Sequence, residues 1–471
     1  MTVVGIDLGT GSTKVAVVGD RGTVLGRGSC AHEVRSPEPG AAETEPGEWL
    51  ASVRRATREA LDAAGHPQVT AVGLSGQMHG VVCADTAGTP LSPALLWADV
   101  RAGPACQAYD RLDAARRRGL ANPVVAGMFG PLLAWALDRD ARLRRRLRWA
   151  LSPKDWLRFA VTGTVATEPS DASATLLWDV AADGWSAAAL DALDVPPGAL
   201  APVVGSGDVA GRLDRRGADL LDLPAGTPVV AGAADVAAAL VGAGLAVGQA
   251  QVSIGTGAQL VIPTDDLHLA ATPVTHRYRR AEPSGWYAMA AVQNAGLAME
   301  WVREVLGAGW DEVHAALDGV APGADGVTFH GYLTGERTPL LDTEVRGSWQ
   351  GLSLHTRRPA LLRAALEGVA FALRDALGAL LDDGLVVGDL RLVGGGGADP
   401  RWRRLLADTL GRRLTVHDQT DVSVFGAARL AAAAVGDDLP GASGAVTATV
   451  DPRADPALDD AWERWRARRP R

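Results

Sequence analysis

The alternation of apolar and polar residues over the first 30 positions predicts three β-strands. Apolar runs lie at 3–8, 14–18 and 23–27, and two glycine-containing turns, at 9–12 and 20–22, separate them. Alternation with a period of two is typical of strands, and short glycine-rich connections are typical of hairpins. We therefore expect these residues to form an antiparallel meander.

Helical and buried-strand patterns follow the meander. Residues 47–64 show the spacing of an amphipathic helix, and the apolar run 69–74 indicates a buried strand. From about 103 to 200 the chain is rich in Ala, Leu and Arg. We expect this region to be mostly helical, with Pro153 and Pro169 as breakers.

The second half repeats the opening pattern. Strand-like runs at 249–253 and 259–263 enclose the turn Gly255-Thr256-Gly257, much as the first strands enclose Gly9-Thr10-Gly11. The shared flanks indicate an internal duplication. Downstream, the pattern predicts a helix at 359–381, a strand at 390–393, a glycine run at 394–397 and a helix at 400–410.

Together these elements predict an α/β fold with more than one domain. The 471 residues are enough for two or three domains of roughly 150 residues each. We expect two large α/β domains, at 1–245 and 246–435. A short tail at 436–471 is expected to end in an Arg-rich helix.

Composition and charge exclude several classes of protein. Apolar residues make up 47% of the chain and charged residues 21%, as in globular proteins, so disorder over most of the length is excluded. The net charge of −9, with no basic face in the first 50 residues, argues against a nucleic-acid partner. Cys30, Cys83 and Cys106 lie at no metal-like spacing and predict neither disulfides nor a zinc site.

One stretch, 229–248, has the length of a membrane span and a single charge, Asp235. It consists mainly of small residues, and an Asp at mid-span costs about 2.5–3.5 kcal/mol on insertion scales. The N-terminus lacks a charged region followed by an apolar one, so no secretory signal is expected. We therefore expect a cytoplasmic protein with no membrane partner, and a homodimer is left open.

The first segment with candidate chemistry is the turn within residues 5–14. Its glycines would let backbone N–H groups approach a phosphate, and the hydroxyls of Thr10, Ser12 and Thr13 add donors. Asp7, at the end of a strand, could hold Mg²⁺ beside those phosphates. The spacing fits neither GxxxxGK[ST] nor GxGxxG. A plain glycine-rich hairpin is the alternative.

The second segment, 75–80, follows the buried strand with the sequence Ser-Gly-Gln-Met-His-Gly. Loops at the carboxyl ends of such strands are where α/β proteins bind ligands. Gln77 and His79 offer polar recognition of hydroxyl groups, and Met78 offers an adaptable apolar wall. The alternative is a loop histidine without a ligand.

The third segment places Asp235 among small residues at 231–239. A lone carboxylate in such surroundings is costly unless it is paired or functional. Burial would raise its pKa toward the range of a general base. The alternative is a helix N-cap, and the two roles are compatible.

The fourth segment is the glycine run within 392–402, between a strand and a helix. Glycines there allow a flat ligand or a phosphate to approach the backbone at the helix N-terminus. A tight structural turn is the alternative.

In this order, the four segments resemble the FGGY carbohydrate kinases of the sugar-kinase, actin and chaperone-ATPase superfamily. The resemblance covers roughly residues 1–435, and the ordered set is more specific than any one motif. Five further stretches are similar to family landmarks: Trp97 to Arg101, Ser152 to Leu157, Glu168 to Ser173, Tyr332 to Pro339, and Gly347 to His355 with Glu367-Gly368.

The resemblance implies two actin-like, ribonuclease H-like domains that flank a catalytic cleft. Asp235 matches the general base that takes the proton of the sugar hydroxyl. Asp7 matches the carboxylate near Mg²⁺ and the transferred phosphoryl group. Met78 and His79 match a sugar-contacting pair. The other expected sugar-site residues are Gln77, Trp97 and Asp99.

ATP and Mg²⁺ are the cofactors that the resemblance implies, held mainly from the second domain, with the sugar bound mainly to the first. Gly255-Thr256-Gly257 matches the second phosphate loop, and Gly395-Gly396-Gly397 matches the adenosine-binding turn. The first phosphate turn is expected to use Thr10, Gly11, Ser12, Thr13 and Lys14.

Within the family, segment 75–80 is most similar to kinases that phosphorylate the terminal hydroxyl of D-xylulose. Val236 and Ala98 stand where asparagine is common, Gly331 replaces a common proline, and Pro131-Leu132 replaces Pro-Lys. Lost hydrogen-bonding groups change how a site discriminates hydroxyl patterns. Another ketose or polyol, such as ribulose or erythritol, is therefore an alternative substrate. A non-catalytic actin-like protein that binds sugar or nucleotide is the other alternative, although the presence of both Asp7 and Asp235 argues against it.

Overall fold

A computed structural model of the chain describes residues 1–418, 421–441 and 444–470. Within these ranges, no helix is both long enough and apolar enough to cross a bilayer. The strands of the first half are β1 (Val3–Leu8), β2 (Ser12–Val18), β3 (Val24–Ala31), β4 (Glu43–Thr44), β5 (Ala71–Gly76), β6 (Val82–Ala84), β7 (Ala94–Leu95), β8 (Trp149–Leu151), β9 (Trp178–Asp179), β10 (Gly184–Trp185), β11 (Val209–Arg212), β12 (Pro228–Val230) and β13 (Ala233–Ala234).

Helices surround these strands, and the second half has the same kinds of element. The helices of the first half are α1 (Pro46–Ala64), α2 (Gly103–Cys106), α3 (Ala114–Gly119), α4 (Phe129–Arg139), α5 (Ala141–Arg146), α6 (Pro153–Thr162), α7 (Pro169–Ser173), α8 (Ala187–Leu193), α9 (Arg215–Leu221) and α10 (Asp235–Ala243). The later strands are β14 (Ala250–Ile254), β15 (Ala258–Thr264), β16 (His276–Arg279), β17 (Trp286–Val292), β18 (Thr328–His330), β19 (Ser348–Gln350), β20 (Leu390–Val393), β21 (Leu414–His417) and β22 (Val446–Val450). The later helices are α11 (Gly296–Val305), α12 (Trp310–Gly319), α13 (Arg358–Asp382), α14 (Pro400–Leu410), α15 (Val422–Ala434) and α16 (Pro456–Ala467).

Two seven-stranded sheets form the centre of the molecule, and six strands of each share one arrangement. The first runs β11-β12-β5-β1-β2-β3, with β13 also paired to β5, and the second runs β16-β17-β15-β14-β20-β21-β22. In each, an antiparallel meander joins parallel strands through its first strand. This agrees with the predicted duplication and confirms the α/β class and the opening meander.

Helix α15 belongs to the second half of the sequence but packs on the first sheet. Glycines permit the close approach: a Cβ on Gly73 of β5 would lie 1.8 Å from the carbonyl oxygen of Ala427. A Cβ on Gly426 would lie equally close, at 1.8 Å, to the carbonyl oxygen of Ala238 in α10. Helix α1 covers the other face of this sheet, with Trp49 and Val53 in the shared core. The first sheet therefore lies between α1 and the α10–α15 pair.

Most of the predicted elements lie where the pattern placed them, with bounds that differ by a few residues. Region 103–200 differs most, because strands β8, β9 and β10 interrupt its helices. Strand β8 pairs with β6, so long-range pairing overrides the local helical composition there. The predicted tail contributes β22 to the second sheet, and its α16 buries Trp465. The domain bounds 1–245, 246–435 and 436–471 stay a prediction.

Candidate functional site

Three parallel strands of the first sheet end at one edge. Asp7 of β1 lies opposite Ser75 of β5, and Ala233 of β13 pairs with the same residue from the other side. Loop 77–80 follows β5, and Asp235 follows β13 directly. Ligands of α/β sheets bind at the carboxyl ends of such strands. The structure therefore brings Asp7, Asp235 and the loop together at a ligand-binding edge.

Two serine hydroxyls hold the carboxylate of Asp7. Ser75 Oγ donates to Oδ1 over 2.9 Å, and Ser423 Oγ, in the first turn of α15, donates to Oδ2 over 2.8 Å. Burial raises the pKa of Asp7, while both hydroxyls and the charge of Lys14 oppose that rise. Sequence reasoning missed Ser423, because 416 positions separate it from Asp7.

Asp235 begins α10 but is not its N-cap. Ala234 occupies the cap position, and Asp235 Oδ1 accepts a hydrogen bond from the Val236 N–H at 2.7 Å. The alternative of a capping aspartate is therefore wrong. Burial and the negative charge of Asp7 raise the pKa of Asp235 to about 7. A carboxyl with this pKa can accept a proton near neutral pH, as a general base must.

The turn between β1 and β2 exposes some of its predicted phosphate-binding groups and buries one. Gly11 is exposed and Ser12 is partly exposed. Thr13, by contrast, is fully buried, and its hydroxyl shares a 2.7 Å hydrogen bond with Ser52 Oγ. Alternation along β2 turns Thr13 inward, so the structure does not bring its hydroxyl to the turn.

Two other residues of the turn contact neighbouring segments. Thr10 Oγ1 accepts a 2.9 Å hydrogen bond from Trp97 Nε1, so these two predicted site residues are in contact. Lys14 Nζ pairs with Asp421 Oδ1 at 2.9 Å, and Arg27 pairs with the other oxygen at 2.7 Å. Lys14 remains about half exposed, beside the strand that carries Asp7.

Gln77 and His79 are buried in the loop that follows β5. Gln77 Nε2 donates to the Gly9 carbonyl over 3.3 Å, so Gln77 braces the first turn. His79 has a φ of +70°, and its Nδ1 donates to the Ala174 carbonyl over 2.9 Å. Burial lowers the pKa of His79 to about 4, so the ring is neutral at pH 7. Its Nε2 is therefore a hydrogen-bond acceptor with no partner among the described residues.

Side chains from the second sheet cover this loop. Tyr287 of β17 directs its hydroxyl at Met78 Sδ over 3.6 Å. The Tyr278 ring of β16 lies 5.8 Å from the His79 ring, centroid to centroid, and its hydroxyl shares a 2.8 Å hydrogen bond with His276 Nδ1. Sequence reasoning missed all three residues of this hairpin. The only sequence signal for them was a pair of strand-like segments that contain tyrosine. Such segments usually belong to the core and do not indicate a binding site.

The structure does not bring Asp99 to these side chains. Asp99 is fully buried and accepts hydrogen bonds from the Ala42 N–H at 3.1 Å and from Arg101 Nε at 3.1 Å. Arg101 also pairs with Glu38 at 2.8 Å and with Glu43. The carboxylate of Asp99 is therefore occupied by an internal network that anchors the segment after Trp97.

Two glycine turns lie side by side at the carboxyl edge of the second sheet. Strands β14 and β20 are parallel, with Ser253 opposite Val393, and the turns Gly255-Thr256-Gly257 and Gly395-Gly396-Gly397 follow them. A Cβ on Gly396 would lie 2.5 Å from Cγ2 of Ile254, the last residue of β14, so at this position the second turn approaches β14 too closely for a side chain. The predicted second phosphate loop and adenosine turn are thus neighbours.

The groups around Asp7 fit a nucleotide-borne Mg²⁺ better than a resident metal. No group of three His, Cys, Asp or Glu side chains in the described ranges could hold a metal ion by itself. Mg²⁺ is usually bound by one or two carboxylates together with substrate phosphates and waters. The partly exposed Asp7 carboxylate beside a glycine turn matches that donor set.

A buried ionic network lies behind the segment that leads to Asp235. Lys154 Nζ donates to Asp155 Oδ1 over 2.7 Å and to the Ala231 carbonyl over 3.2 Å. Arg158 Nη1 donates to the same two oxygens, over 2.9 and 2.7 Å. Two buried cations therefore fix the backbone four residues before Asp235.

The acidic side of the network is linked through Ser170 to Ala234, the residue before Asp235. Ser170 Oγ accepts the Ala234 N–H at 2.9 Å and donates to Glu168 Oε1 at 2.8 Å. Burial raises the pKa of Asp171, the next residue, to about 8. The sequence showed these residues as landmarks without a role, and their packing around 231–234 gives them one: they position Asp235.

Two family models match the chain. The model described as "FGGY family of carbohydrate kinases, N-terminal domain" matches residues 2–242, and the corresponding C-terminal model matches residues 250–435.

Curated relatives and solved structures agree with the models. Xylulose kinase of Klebsiella pneumoniae is 34% identical, and the alignment covers 93% of this chain and 91% of the relative. Glycerol kinase of Alkalilimnicola ehrlichii is 33% identical, over 92% of this chain and 90% of the relative. The crystal structure of a xyloylose kinase from Brucella ovis, 33% identical, matches with a TM-score of 0.92 over 99% of this chain and 98% of that one.

Proposed function

The chain belongs to the FGGY family of carbohydrate kinases, and from this membership we propose that it transfers the γ-phosphoryl group of ATP to the terminal hydroxyl of a ketose. The ketose we propose is D-xylulose, and the product is D-xylulose 5-phosphate. Several curated relatives are xylulose kinases, at 29–34% identity over most of the chain. The observation that carries the proposal is Asp235, a carboxyl with a pKa of about 7 at the strand edge that also holds Asp7.

In the proposed mechanism, Asp235 accepts the proton of the terminal hydroxyl as that oxygen attacks the γ-phosphorus and ADP leaves. Phosphoryl transfer needs positioning and charge neutralisation more than covalent chemistry from the protein. We assign positioning of the phosphates to the turns containing Thr10, Gly11 and Ser12 and to Gly255–Gly257. Mg²⁺, when bound beside Asp7, would supply neutralisation of phosphate charge.

The sugar would lie between the loop after β5 and the second-sheet hairpin. Met78, under Tyr287, supplies an apolar wall, and neutral His79 supplies an acceptor at Nε2 for a sugar hydroxyl. Gln77 braces the first turn, so we assign it a positioning role. We assign Trp97 to the boundary of the proposed sugar and phosphate regions, because its Nε1 donates a hydrogen bond to Thr10 Oγ1.

ADP release from the purified protein tests the proposal, measured with Mg-ATP in the presence and absence of D-xylulose. Strong stimulation by D-xylulose is the expected result. Stimulation by ribulose or a polyol instead would keep the kinase chemistry and overturn the proposed sugar. Silence across a panel of ketoses and polyols would overturn the kinase proposal itself.

A polyol acceptor is the second candidate, and two observations favour it. Val236, next to the proposed base, is apolar and nearly buried, so no amide lies beside the acceptor there. A glycerol kinase is among the relatives, at 33% identity. The acceptor panel decides between the two candidates.

We expect His79→Asn to raise the KM for the sugar roughly ten- to hundredfold. The reason is that the shorter asparagine side chain has no acceptor at the position of His79 Nε2. Asparagine tolerates the left-handed backbone of this position, so the fold should be preserved. The KM for ATP should change less than twofold. Steady-state kinetics with each substrate varied checks this, and equal losses for both substrates would contradict the sugar-site role.

We expect kcat/KM for the sugar to rise with pH and to level off above about pH 7, because Asp235 must be deprotonated to accept a proton and its pKa lies at about 7. Below that pH the rate should fall about tenfold per unit, in proportion to the ionised fraction. Rates measured from pH 5 to 9 at saturating Mg-ATP check this. A flat profile over that range would contradict the assignment.

A further inference from the structure

Arg337 is a half-buried cation without a polar partner. Among the residues that the structure describes, its guanidinium has neither a hydrogen bond nor an ion pair. Other inward-facing arginines are paired: Arg158 with Asp155 at 2.9 Å, and Arg363 with Glu367 at 2.7 Å. A cation withdrawn from water without a partner is costly, so an unpaired one indicates a ligand that is absent from the free protein.

The neighbouring acid, Glu336, forms no ion pair with the guanidinium of Arg337, although its charge stabilises the cation from a distance. Glu336 Oε1 is turned to the backbone, where it accepts the N–H of Gln293 at 2.6 Å and that of Arg337 at 2.8 Å. Its Oε2 is buried and also without a partner. The geometry thus keeps the guanidinium of Arg337 available although a carboxylate precedes it in the sequence.

The surroundings of Arg337 place it at the edge of the proposed sugar region. Its guanidinium carbon lies 5.1 Å from the centroid of the Trp97 ring, and Trp97 bonds Thr10 of the first turn. Burial lowers the pKa of His79 and raises that of Tyr278; the charge of Arg337 adds to the first shift and opposes the second. The contact with Trp97, together with the effect on His79, therefore associates Arg337 with the His79 side of the site.

We propose that Arg337 is a specificity-determining residue that binds the acceptor sugar at the end opposite the phosphorylated hydroxyl. The inference rests on the proposed function and extends it to the ketose end of the substrate. The guanidinium is planar and only donates, so it matches adjacent oxygens such as a C2 carbonyl and a C1 hydroxyl. The cation–π contact with Trp97 holds the guanidinium at this end of the proposed site.

A carbonyl oxygen accepts hydrogen bonds without needing a donor partner, whereas the hydroxyl of the corresponding polyol must also place its own proton. Arg337 therefore favours a ketose over the polyol of the same length. At the other end of the acceptor, Val236 adds no polar side chain beside Asp235. We therefore assign discrimination between ketose and polyol to the Arg337 end of the site.

Arg337→Gln and Arg337→Lys test the inference, with Arg148→Gln as the matched control. Arg148 also stacks on a tryptophan, at 3.5 Å from the centroid of Trp149, but outside this site. Calorimetry gives the Kd values for D-xylulose and for ATP, and steady-state kinetics give kcat/KM for D-xylulose and xylitol. Arg337→Gln is expected to raise the Kd for D-xylulose roughly ten- to hundredfold and to leave that for ATP within twofold.

The ratio of kcat/KM for ketose over polyol is the readout that a merely structural role would not move. We expect it to fall at least tenfold in both Arg337 variants and to stay unchanged in Arg148→Gln. If the unsubstituted enzyme phosphorylates D-xylulose, either of two results in the Arg337 variants would overturn the inference: an unchanged ratio, or a weakened ATP affinity with normal sugar binding. If the unsubstituted protein phosphorylates no ketose or polyol, the proposed function fails first, and the inference fails with it.

Discussion

Replacing Asp235 with asparagine is expected to lower sugar-dependent turnover by roughly 10²- to 10⁴-fold, the range that a general base contributes. Asparagine has nearly the same shape but cannot accept the proton, so the fold and the sugar site should persist. The amide also lacks the charge that Asp7 opposes. The Kd for ATP should therefore change less than twofold.

Stopped-time assays of ADP with and without D-xylulose give the turnover of Asp235→Asn, and calorimetry gives the ATP affinity. Asp214→Asn is the control, because Asp214 is the N-cap of α9 and asparagine caps equally well. The control should retain full turnover. If Asp235→Asn turned over within tenfold of the unsubstituted enzyme, the base assignment would be wrong.

Replacing Lys154 with methionine is expected to lower the free energy of unfolding by about 3–5 kcal/mol, as when one partner of a buried ion pair is removed. Lys154 Nζ lies 2.7 Å from Asp155, 3.3 Å from Asp171 and 3.5 Å from Glu168. Without it, Arg158 is left as the cation of this group. The three carboxylates then repel one another in a site that is buried from bulk solvent.

The pH dependence separates this electrostatic cost from lost packing. Burial already raises the folded pKa of Asp171 to about 8, and the charge of Lys154 opposes that rise, so removing Lys154 raises this pKa further. Such a group stabilises the fold below its unfolded pKa and loses that contribution as pH rises through the folded pKa. The deficit of Lys154→Met should therefore be smaller at pH 5 than at pH 8.

Urea unfolding at the two pH values gives the measurement. Lys14→Met is the stability control, because Lys14, the chain's other lysine, pairs with Asp421 while about half exposed. An exposed pair contributes about 0–1 kcal/mol. A deficit for Lys154→Met that was equally small, or that did not change with pH, would contradict the network's role in holding 231–234.

The sequence was sufficient to predict the strand ends and the acids that follow them, because both follow from local pattern. Asp7 and Asp235 stand at the ends of apolar runs. The glycine turns are recognisable in the sequence because they separate such runs. The inward direction of Thr13 was readable in principle from the period of two along β2. Asp99 was predicted to contact the sugar, but in the structure its carboxylate pairs with Arg101. Both residues belong to the landmark Trp97 to Arg101, and the sequence alone did not show that they pair with each other.

The residues that escaped prediction come from distant parts of the chain. Tyr287 and Met78 are 209 positions apart, and the bond from Ser423 to Asp7 spans 416. No local sequence pattern predicts these contacts, because they depend on how the two halves of the chain pack together. Arg337 was visible as part of a landmark, but its lack of a partner is a property of the folded molecule.

The position of α15 has a consequence for how the nascent chain acquires its structure. The face of the first sheet that carries Gly5 and Gly73 receives this helix, and the helix is made of residues 422–434. Until those residues have been synthesised, β1 and β5 lack the helix that packs on them, and of the α10–α15 pair α10 alone is present. The amino-terminal half is therefore translated first, but its core is closed only after residue 434 has been added to the chain.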